Sequence, residues 1–255
     1  MFVFSSEQFR LLIDFDHVYG GNKLNNLLDL GSGDGAVTKK MSIYFKEVYT
    51  TEMSWTMQWR LGQHGFKVVD VNAWDKVILS DDVNMDASLN NDVSRNYLKF
   101  DVITCLNLLD RCDKPFTLLK QIKKALVHNG LLVVALVLPF NPYVEYNKDN
   151  KPLENLLNVE SFSNNDDGVA TTKEPSQCGS NSHNDSSSNV NSTNPVCKVK
   201  MNKINHQISY LTDNVFRPIG FELVRFSRVP YLCEGNLLQS FYYMFDYIFV
   251  FKSTQ

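Results

Sequence analysis

The sequence predicts an α/β domain built on a seven-stranded, mainly parallel sheet with an antiparallel edge strand. Short apolar runs typical of buried strands alternate with segments whose apolar residues recur at three- and four-residue spacing, as they do in amphipathic helices. Parallel strands need crossover helices, so this alternation favours a parallel sheet with both faces covered. Two strand patterns close the chain, and they suggest the antiparallel edge.

Strand and helix patterns follow each other along the chain. The predicted strands are residues 26–30, 47–51, 67–71, 100–106, 131–138, 221–229 and 247–252. The predicted helices between them are residues 36–46, 55–64 and 116–127, and a further helix near 203–216. Residues 1–22 are predicted as an N-terminal helical extension. Glu7 and Arg10 interrupt its apolar stretch, which is typical of an amphipathic helix rather than of a signal peptide.

Length and composition indicate one domain, residues 1–255, that carries two insertions. The first is a polar loop at 80–98. The second, at 155–200, is rich in serine and asparagine: sixteen of the thirty-six residues from 161 to 196 are one or the other. Such a segment buries too little apolar surface to offset the entropy of ordering it, and we predict that it is disordered.

Charge and cysteine content exclude several classes of protein. With 25 basic and 28 acidic side chains, the net charge of −3 argues against a nucleic-acid partner. The five cysteines form no C-x-x-C pair and the five histidines are unclustered, so we expect no metal site. The longest apolar run, 131–138, is far shorter than the ~20 residues of a transmembrane helix. We expect a cytoplasmic monomer.

A glycine-rich turn between the first strand and the next helix is the sharpest functional signal. Residues 28–35 read LDLGSGDG, and Gly31 and Gly33 would let the backbone turn tightly and a ligand approach closely. The spacing differs from the G-x-G-x-x-G that places a pyrophosphate on a helix N-terminus. Asp29 would repel phosphate but suits a cationic group such as an amino-acid ammonium. A turn that is merely glycine-rich is the alternative interpretation.

Polar side chains at the ends of the next strands extend this interpretation. Glu52, after the second strand, can accept hydrogen bonds from both hydroxyls of a ribose. Together with the glycine loop it indicates S-adenosylmethionine rather than NAD. Asn72 is placed where the adenine edge would lie and Trp74 could pack on the ring, although both could equally be loop and core residues. Asn107, at the end of the fourth strand, lies where ligands of open α/β sheets bind.

With these residues in view, the chain resembles the DREV-type protein-histidine N-pros-methyltransferases, a family of class I methyltransferases with a Rossmann-like fold. Four blocks carry the resemblance: 27–35 (LLDLGSGDG), 105–115 (CLNLLDRCDKP), 135–145 (ALVLPFNPYVE) and 230–235 (PYLCEG). The first block is shared by methyltransferases at large, and the other three are specific to the family.

The resemblance implies S-adenosylmethionine as donor, S-adenosylhomocysteine as product, and histidines of His-x-His motifs in other proteins as acceptors. The cofactor contacts that it implies are Asp29, Gly31, Glu52, Asn107 and Tyr231. Asp110 and Tyr242 would lie on the substrate side, and we predict Asp110, Tyr242 and Asn107 as the catalytic residues. Members of this family are associated with the endoplasmic reticulum and mitochondria, which are therefore alternative compartments.

Two departures from the family pattern leave substrate preference open. Asn141 stands where the family usually has a histidine, and Phe245 stands where an acidic residue is common.

The chemistry of histidine suggests a role for Asp110. Attack by the Nδ1 (pros) nitrogen requires that Nε2 carry the proton, and the partner of Nε2 fixes that tautomer. Our hypothesis is that Asp110 accepts this hydrogen bond and stabilises the developing imidazolium; the alternative is that Asp110 only caps the following helix.

Other functions remain open on the sequence alone. One is a methyltransferase with a small molecule or another side chain as acceptor, and another is a non-catalytic cofactor-binding module. A nicotinamide-linked reductase is the weakest alternative because of the spacing of the glycine loop.

Overall fold

The computed structural model describes residues 3–78, 97–145, 147, 149–157, 195–234 and 238–254. The predicted polar loop at 80–98 lies outside the described residues except for its last two positions. The predicted insertion at 155–200 lies outside them from 158 to 194.

One seven-stranded sheet forms the centre of the molecule, in the strand order β3-β2-β1-β4-β5-β7-β6. The strands are β1 (Leu24–Leu30), β2 (Phe45–Thr51), β3 (Lys67–Val68), β4 (Phe100–Leu106), β5 (Leu126–Val137), β6 (Phe221–Glu234) and β7 (Phe241–Ser253). The first five strands run parallel, and β7 pairs antiparallel with both β5 and β6. The predicted fold class is confirmed, with β7 one place in from the edge that β6 forms.

Helices precede, connect and flank the strands. They are α1 (Ser6–Leu12), α2 (Phe15–Tyr19), α3 (Ala36–Ser42), α4 (Trp55–Gln63), α5 (Pro115–Ala125), α6 (Pro195–Tyr210) and α7 (Arg217–Ile219). A capping box begins α1, because the Ser5 hydroxyl accepts from the Gln8 amide at 3.1 Å and the Gln8 side chain accepts from the Ser5 amide. No helix among the described residues is long and apolar enough to cross a membrane.

The two closing strands and α6 extend beyond their predicted ends. The β6–β7 pairing continues from Phe221 to Glu234, well past the buried core, because the hairpin keeps its cross-strand hydrogen bonds where its side chains are exposed. Helix α6 starts at Pro195 rather than near residue 203. Proline is favoured in the first turn of a helix, where its missing N–H needs no partner.

Apolar side chains cover both faces of the sheet. On one face, Phe100 and Phe251 pack against Leu119 of α5 and Phe216, all of them buried. The other face carries a second cluster of buried side chains, contributed by α1, α2, α3 and six of the strands; it includes Phe4, Phe9, Met41, Phe45 and Ile248. Burial on both faces makes the sheet a rigid platform, and the loops at its carboxyl edge are therefore held in fixed positions.

Candidate active site

The glycine loop after β1 is tied to the end of β2. The amides of Gly31 and Ser32 donate to the Thr51 carbonyl at 3.1 and 3.0 Å, and the Gly33 amide donates to Glu52 Oε2 at 2.9 Å. Gly31 and Gly33 have φ values of 70° and 55°, the left-handed region that glycine adopts without strain. The loop is thus built from backbone that a ligand can approach.

Asp29 lies at the end of β1 in the wall of a cavity, and its carboxylate is buried. Its Oδ1 accepts from the Thr104 hydroxyl of β4 at 2.6 Å, and its Oδ2 accepts from the Thr38 hydroxyl of α3 at 2.5 Å. Burial raises the pKa of Asp29, opposed by the hydrogen bonds from the two threonines and by Ser32. Asp29 therefore fixes β1, β4 and α3 together and also places a carboxylate behind the glycine loop.

Glu52 is half-buried and held by three backbone amides. Its Oε1 accepts from the amides of Met53 and Ser54 at 2.9 and 3.0 Å, while Oε2 accepts from Gly33. A carboxylate oxygen can accept two hydrogen bonds, so Oε2 keeps capacity for a further donor. This geometry suits a carboxylate that binds ribose hydroxyls.

A cavity of about 320 Å³ opens beside the glycine loop, and its size is within the range of small-molecule sites. Its walls include Asp29, Gly31, Gly33, Leu106 and Tyr231. Backbone at positive φ, a buried carboxylate and apolar side chains fit a nucleoside that carries a cationic sulfonium and an ammonium. These residues therefore fit S-adenosylmethionine.

A second cavity, of about 610 Å³, adjoins the first, since Tyr231 and Cys233 of β6 line both. The loops after β4 and β5 contribute Asn107, Asp110 and Asn141 to its walls. Two neighbouring cavities match a cofactor site and an acceptor site that share one wall.

Asn107 follows β4 with a φ of 53°, and its amide donates to the Ala135 carbonyl at 3.0 Å. Its side-chain Nδ2 donates to Asp246 Oδ2 of β7 at 2.8 Å. Its Oδ1 is buried and has no hydrogen-bond partner among the described residues. Asn107 is thus held in the cavity wall with an acceptor available.

Asp110 lies in the same wall, and its two oxygens differ. Its Oδ2 pairs with Arg111 Nε at 3.4 Å, whereas Oδ1 is buried and, within the described part of the chain, unpartnered. Burial raises the pKa of Asp110, and the Arg111 guanidinium opposes this rise. Helix α5 has Lys114 rather than Asp110 at its N-terminal boundary, so the structure does not use Asp110 as its cap.

Both predicted tyrosines lie on the hairpin of β6 and β7. Tyr231 is buried between the two cavities, and burial raises the pKa of its hydroxyl. Tyr242 lies directly opposite Cys233 in the β6–β7 register and is 36% exposed. Because cross-strand partners share a face, Tyr242 is on the cavity side of the hairpin, at its rim.

Asn72 is not grouped with the other predicted site residues. Strand β3 ends at Val68, and Asn72 lies in an exposed turn, outside the walls of both cavities. Trp74, considered as a possible ring partner for adenine, is buried in the core cluster with Leu28 and Leu30. Three residues therefore separate Asn72 from the end of β3, and it does not follow the strand end directly as the sequence pattern predicted.

Sequence reasoning missed one acidic residue, Asp246. It is fully buried in β7, between its register partners Val137 of β5 and Val229 of β6. Phe245, noted as a departure from the family pattern, points to the opposite face, where the Arg228 guanidinium stacks 3.7 Å from its ring centroid. A lone aspartate in the apolar run at 244–251 was the signal that could have identified Asp246.

Comparisons with known proteins bear on this site. A model of the family described as DREV methyltransferase matches residues 1–89, 84–177 and 182–253 of the chain.

Solved structures with similar backbones are more distant. The N-methyltransferase NodS from Bradyrhizobium japonicum is 12% identical, with 98% of this chain and 96% of that chain covered and a TM-score of 0.44. The precorrin-8w decarboxylase from Methanobacterium thermoautotrophicum is 12% identical, with 97% and 90% covered and a TM-score of 0.44. The YcgJ protein from Bacillus subtilis is 10% identical, with 98% of both chains covered and a TM-score of 0.47.

The family match extends over almost the whole chain and includes the glycine loop, Glu52, Asn107 and Asp110. The chain therefore belongs to the DREV methyltransferase family, and its methyl donor is S-adenosylmethionine.

Proposed function

We propose that this protein transfers a methyl group from S-adenosylmethionine to the Nδ1 (pros) nitrogen of histidine side chains, within His-x-His motifs of other proteins. The observation that carries the proposal is the set of acceptor oxygens beside the 610 Å³ cavity. Asn107 and Asp110 line this cavity, and the Oδ1 atom of each is buried without a hydrogen-bond partner among the described residues.

Such a site needs a ligand that donates hydrogen bonds. A buried acceptor without a donor costs free energy, on the order of 1–3 kcal/mol, so a ligand with N–H groups binds favourably there. Imidazole brings one N–H when neutral and the methylated imidazolium keeps that N–H with a positive charge. An acceptor molecule with carboxylate or phosphate groups near the reacting atom would be repelled by Asp110.

Asp110 selects the nitrogen that reacts. When Asp110 Oδ1 accepts the Nε2–H hydrogen bond, Nδ1 carries the lone pair and is the nucleophile. The pairing also stabilises the charge that develops on the ring, and no strong base is needed because imidazole is mostly neutral at pH 7. The resemblance of residues 105–115 to the histidine methyltransferases supports the same acceptor.

Residues of the smaller cavity would hold the cofactor. Asp29, Gly31 and Gly33 fit its amino-acid part, and Tyr231 separates it from the acceptor cavity. Glu52 is not in the cavity wall itself but accepts a hydrogen bond from the amide of Gly33, which is, and from there it fits the ribose. Bound there, S-adenosylmethionine supplies an electrophilic methyl group. The chain's own contribution is orientation: two fixed cavities bring nucleophile and methyl carbon into line, which is the main requirement of such a displacement.

The test is transfer of labelled methyl from S-adenosylmethionine to the peptide Ala-His-Ala-His-Ala. The matched controls are the two peptides with one histidine replaced by alanine and the peptide with both replaced. We expect label only in histidine-containing peptides, most in the intact motif, and 1-methylhistidine rather than 3-methylhistidine after hydrolysis. Absence of label with clear binding of S-adenosylhomocysteine in calorimetry would refute the histidine acceptor, and 3-methylhistidine would refute the choice of nitrogen.

A further inference from the structure

We propose that Asp246 is a positioning residue for the methyl-transfer site: its carboxylate holds the Asn107 amide so that the amide oxygen is the atom left for a ligand. The proposal concerns the methyltransferase site as such and does not depend on which acceptor is methylated.

The geometry couples the two residues across β5. Asn107 and Asp246 are 139 residues apart in sequence, yet Asn107 Nδ2 lies 2.8 Å from Asp246 Oδ2. The backbone of Asn107 is fixed independently by its hydrogen bond to Ala135. With the backbone fixed, the bond to Asp246 decides how the side-chain amide is turned.

Burial shows that Asp246 is not there for packing. It is 0% exposed, and no cation pairs with it among the described residues. A buried carboxylate without a cationic partner destabilises a fold relative to an apolar side chain of similar size. We therefore attribute the presence of Asp246 at this buried position to its hydrogen bond with Asn107.

An ionised carboxylate imposes one orientation on the amide. It only accepts hydrogen bonds, so Asn107 must turn its NH₂ group toward Asp246 and keep its oxygen for the cavity side. A protonated Asp246 can donate instead, and the amide could then turn its oxygen toward Asp246 and its NH₂ toward the ligand. Asn107 would in that state offer a donor where the cationic part of a cofactor or a substrate N–H needs an acceptor.

The charged and titratable groups around Asp246 make this switch sensitive to pH. Asp110 faces it from the loop after β4 and raises its pKa, Tyr231 faces it from β6, and Arg111 acts on both Asp110 and Tyr231. Cys233 is a further titratable group on the same face of β6. Burial and Asp110 together raise the pKa of Asp246 to about 6, against the opposing hydrogen bond from Asn107.

The first measurement is direct and needs no activity. In ¹H–¹⁵N spectra of the free protein, the Asn107 side-chain NH₂ resonances, assigned by their loss in Asn107→Ala, should titrate with a midpoint near pH 6. The titration should disappear in Asp246→Asn. Resonances that do not move between pH 5 and 8, or that still titrate in Asp246→Asn, would overturn the proposal.

The second measurement is a double-mutant cycle on S-adenosylhomocysteine affinity. At pH 8 we expect Asp246→Leu to weaken binding about tenfold and Asp246→Asn, which keeps an acceptor oxygen, only about threefold. In the Asn107→Ala background both losses should vanish, because Asp246 acts through Asn107. Losses that persist undiminished in that background would show an independent role for Asp246 and contradict the proposal.

A matched control and a fold check accompany the cycle. Tyr247→Phe changes the neighbouring buried residue, whose side chain lies on the opposite face of β7, and should leave affinity unchanged. Thermal melts of each variant identify any loss of folding. If Asp246→Leu does not fold, Asp246→Asn alone tests the proposal: the titration of the Asn107 side-chain NH₂ resonances should be lost in that variant.

Discussion

At the scale of single residues, the two carboxyls near the acceptor cavity differ in what surrounds them. Asp110 is partly exposed and touches Arg111, whereas Asp246 is enclosed by strands and touches Asn107. Both pKa values are raised by burial. Under the two proposals above, these carboxyls have separate tasks: Asp110 contacts the acceptor, and Asp246 sets the orientation of the Asn107 side chain.

Replacing Asp110 with asparagine should separate turnover from cofactor binding. Asp110→Asn keeps the size of the side chain but removes the charge that stabilises an imidazolium, so we expect kcat to fall on the order of 100-fold. S-adenosylhomocysteine affinity, measured by calorimetry, should stay within about threefold, since a lost charge at the acceptor side leaves the smaller cavity intact. Asp149→Asn, at an exposed loop position, is the matched control. Full activity in Asp110→Asn would assign Asp110 a merely structural role.

Asp246 should make the protein less stable as pH rises. Its pKa is about 6 in the folded state and near its ordinary value of 3.8 when unfolded, so the folded state binds more protons between those two values. The free energy of unfolding therefore falls across that window. Asp246→Asn should remove this loss and gain up to about 3 kcal/mol at pH 8, but only about 1 kcal/mol at pH 4.5. Urea unfolding at both pH values checks this, and an equal gain at both would contradict it.

The sequence was a good guide to residues that act through a local pattern. Gly31, Gly33 and Glu52 follow strands directly, and their neighbourhood could be predicted from strand ends alone. The role of Asp246 could not be predicted in this way, because it depends on contact between residues that are distant in sequence. The position of Asn72 could not be predicted either, because it depends on where the two-residue strand β3 ends.

At the scale of elements, the loop between β1 and α3 depends on backbone that only glycine adopts freely. Gly31 and Gly33 both have positive φ, but their surroundings differ. A Cβ on Gly31 would lie 3.2 Å from Leu108 Cδ1, whereas a Cβ on Gly33 would meet no protein atom within 4 Å. Substitution at the two positions should therefore produce different defects.

Gly31→Ala should mainly destabilise the fold and Gly33→Ala should mainly impair binding. We expect Gly33→Ala to lower the free energy of unfolding by about 1 kcal/mol, because alanine is strained in the left-handed region. Gly31→Ala should lower it by about 2 kcal/mol, because the same strain is joined by the close contact with Leu108. Because Gly33 lines the smaller cavity, its new methyl group should weaken S-adenosylhomocysteine binding at least tenfold. Urea unfolding and calorimetry on both variants test this, and the reverse ranking of stability would count against it.

Element types were predicted better than element ends. Strand β4 has its predicted bounds, since Phe100–Leu106 is mostly apolar and is flanked by the polar residues Lys99 and Asn107. Strands β6 and β7 are longer than predicted because their outer halves, with Leu232 and Tyr243 paired and exposed, continue as a hairpin beyond the core. Side-chain burial ends where the core ends, but the pairing between β6 and β7 continues beyond it.

At the scale of the whole molecule, ligand binding should be visible as stability. S-adenosylhomocysteine at 100 times its dissociation constant should add about 2.7 kcal/mol and raise the melting temperature by roughly 5–10 °C for a chain of this size. NAD⁺ at the same concentration should leave the melting temperature unchanged, because the glycine loop lacks the spacing of a pyrophosphate site. A comparable shift with NAD⁺ in differential scanning calorimetry would contradict this assignment.

The architecture as a whole was predictable because strand and helix patterns alternate so regularly. What composition and periodicity could not supply was the order of the last two strands. Strand β7 lies between β5 and β6, although β6 comes first in the chain, and Phe249 and Phe251 of β7 are buried in the core cluster.

That strand order also determines when the site is complete during synthesis. Strand β6 leaves the ribosome before β7, and in the finished sheet β7 is the only strand it pairs with among the described residues. Five parallel strands can assemble first, and both remaining strands then join together. The nascent chain therefore acquires the anchor of Asn107 only when β7 has joined the sheet, and the site that Asn107 lines is incomplete until then.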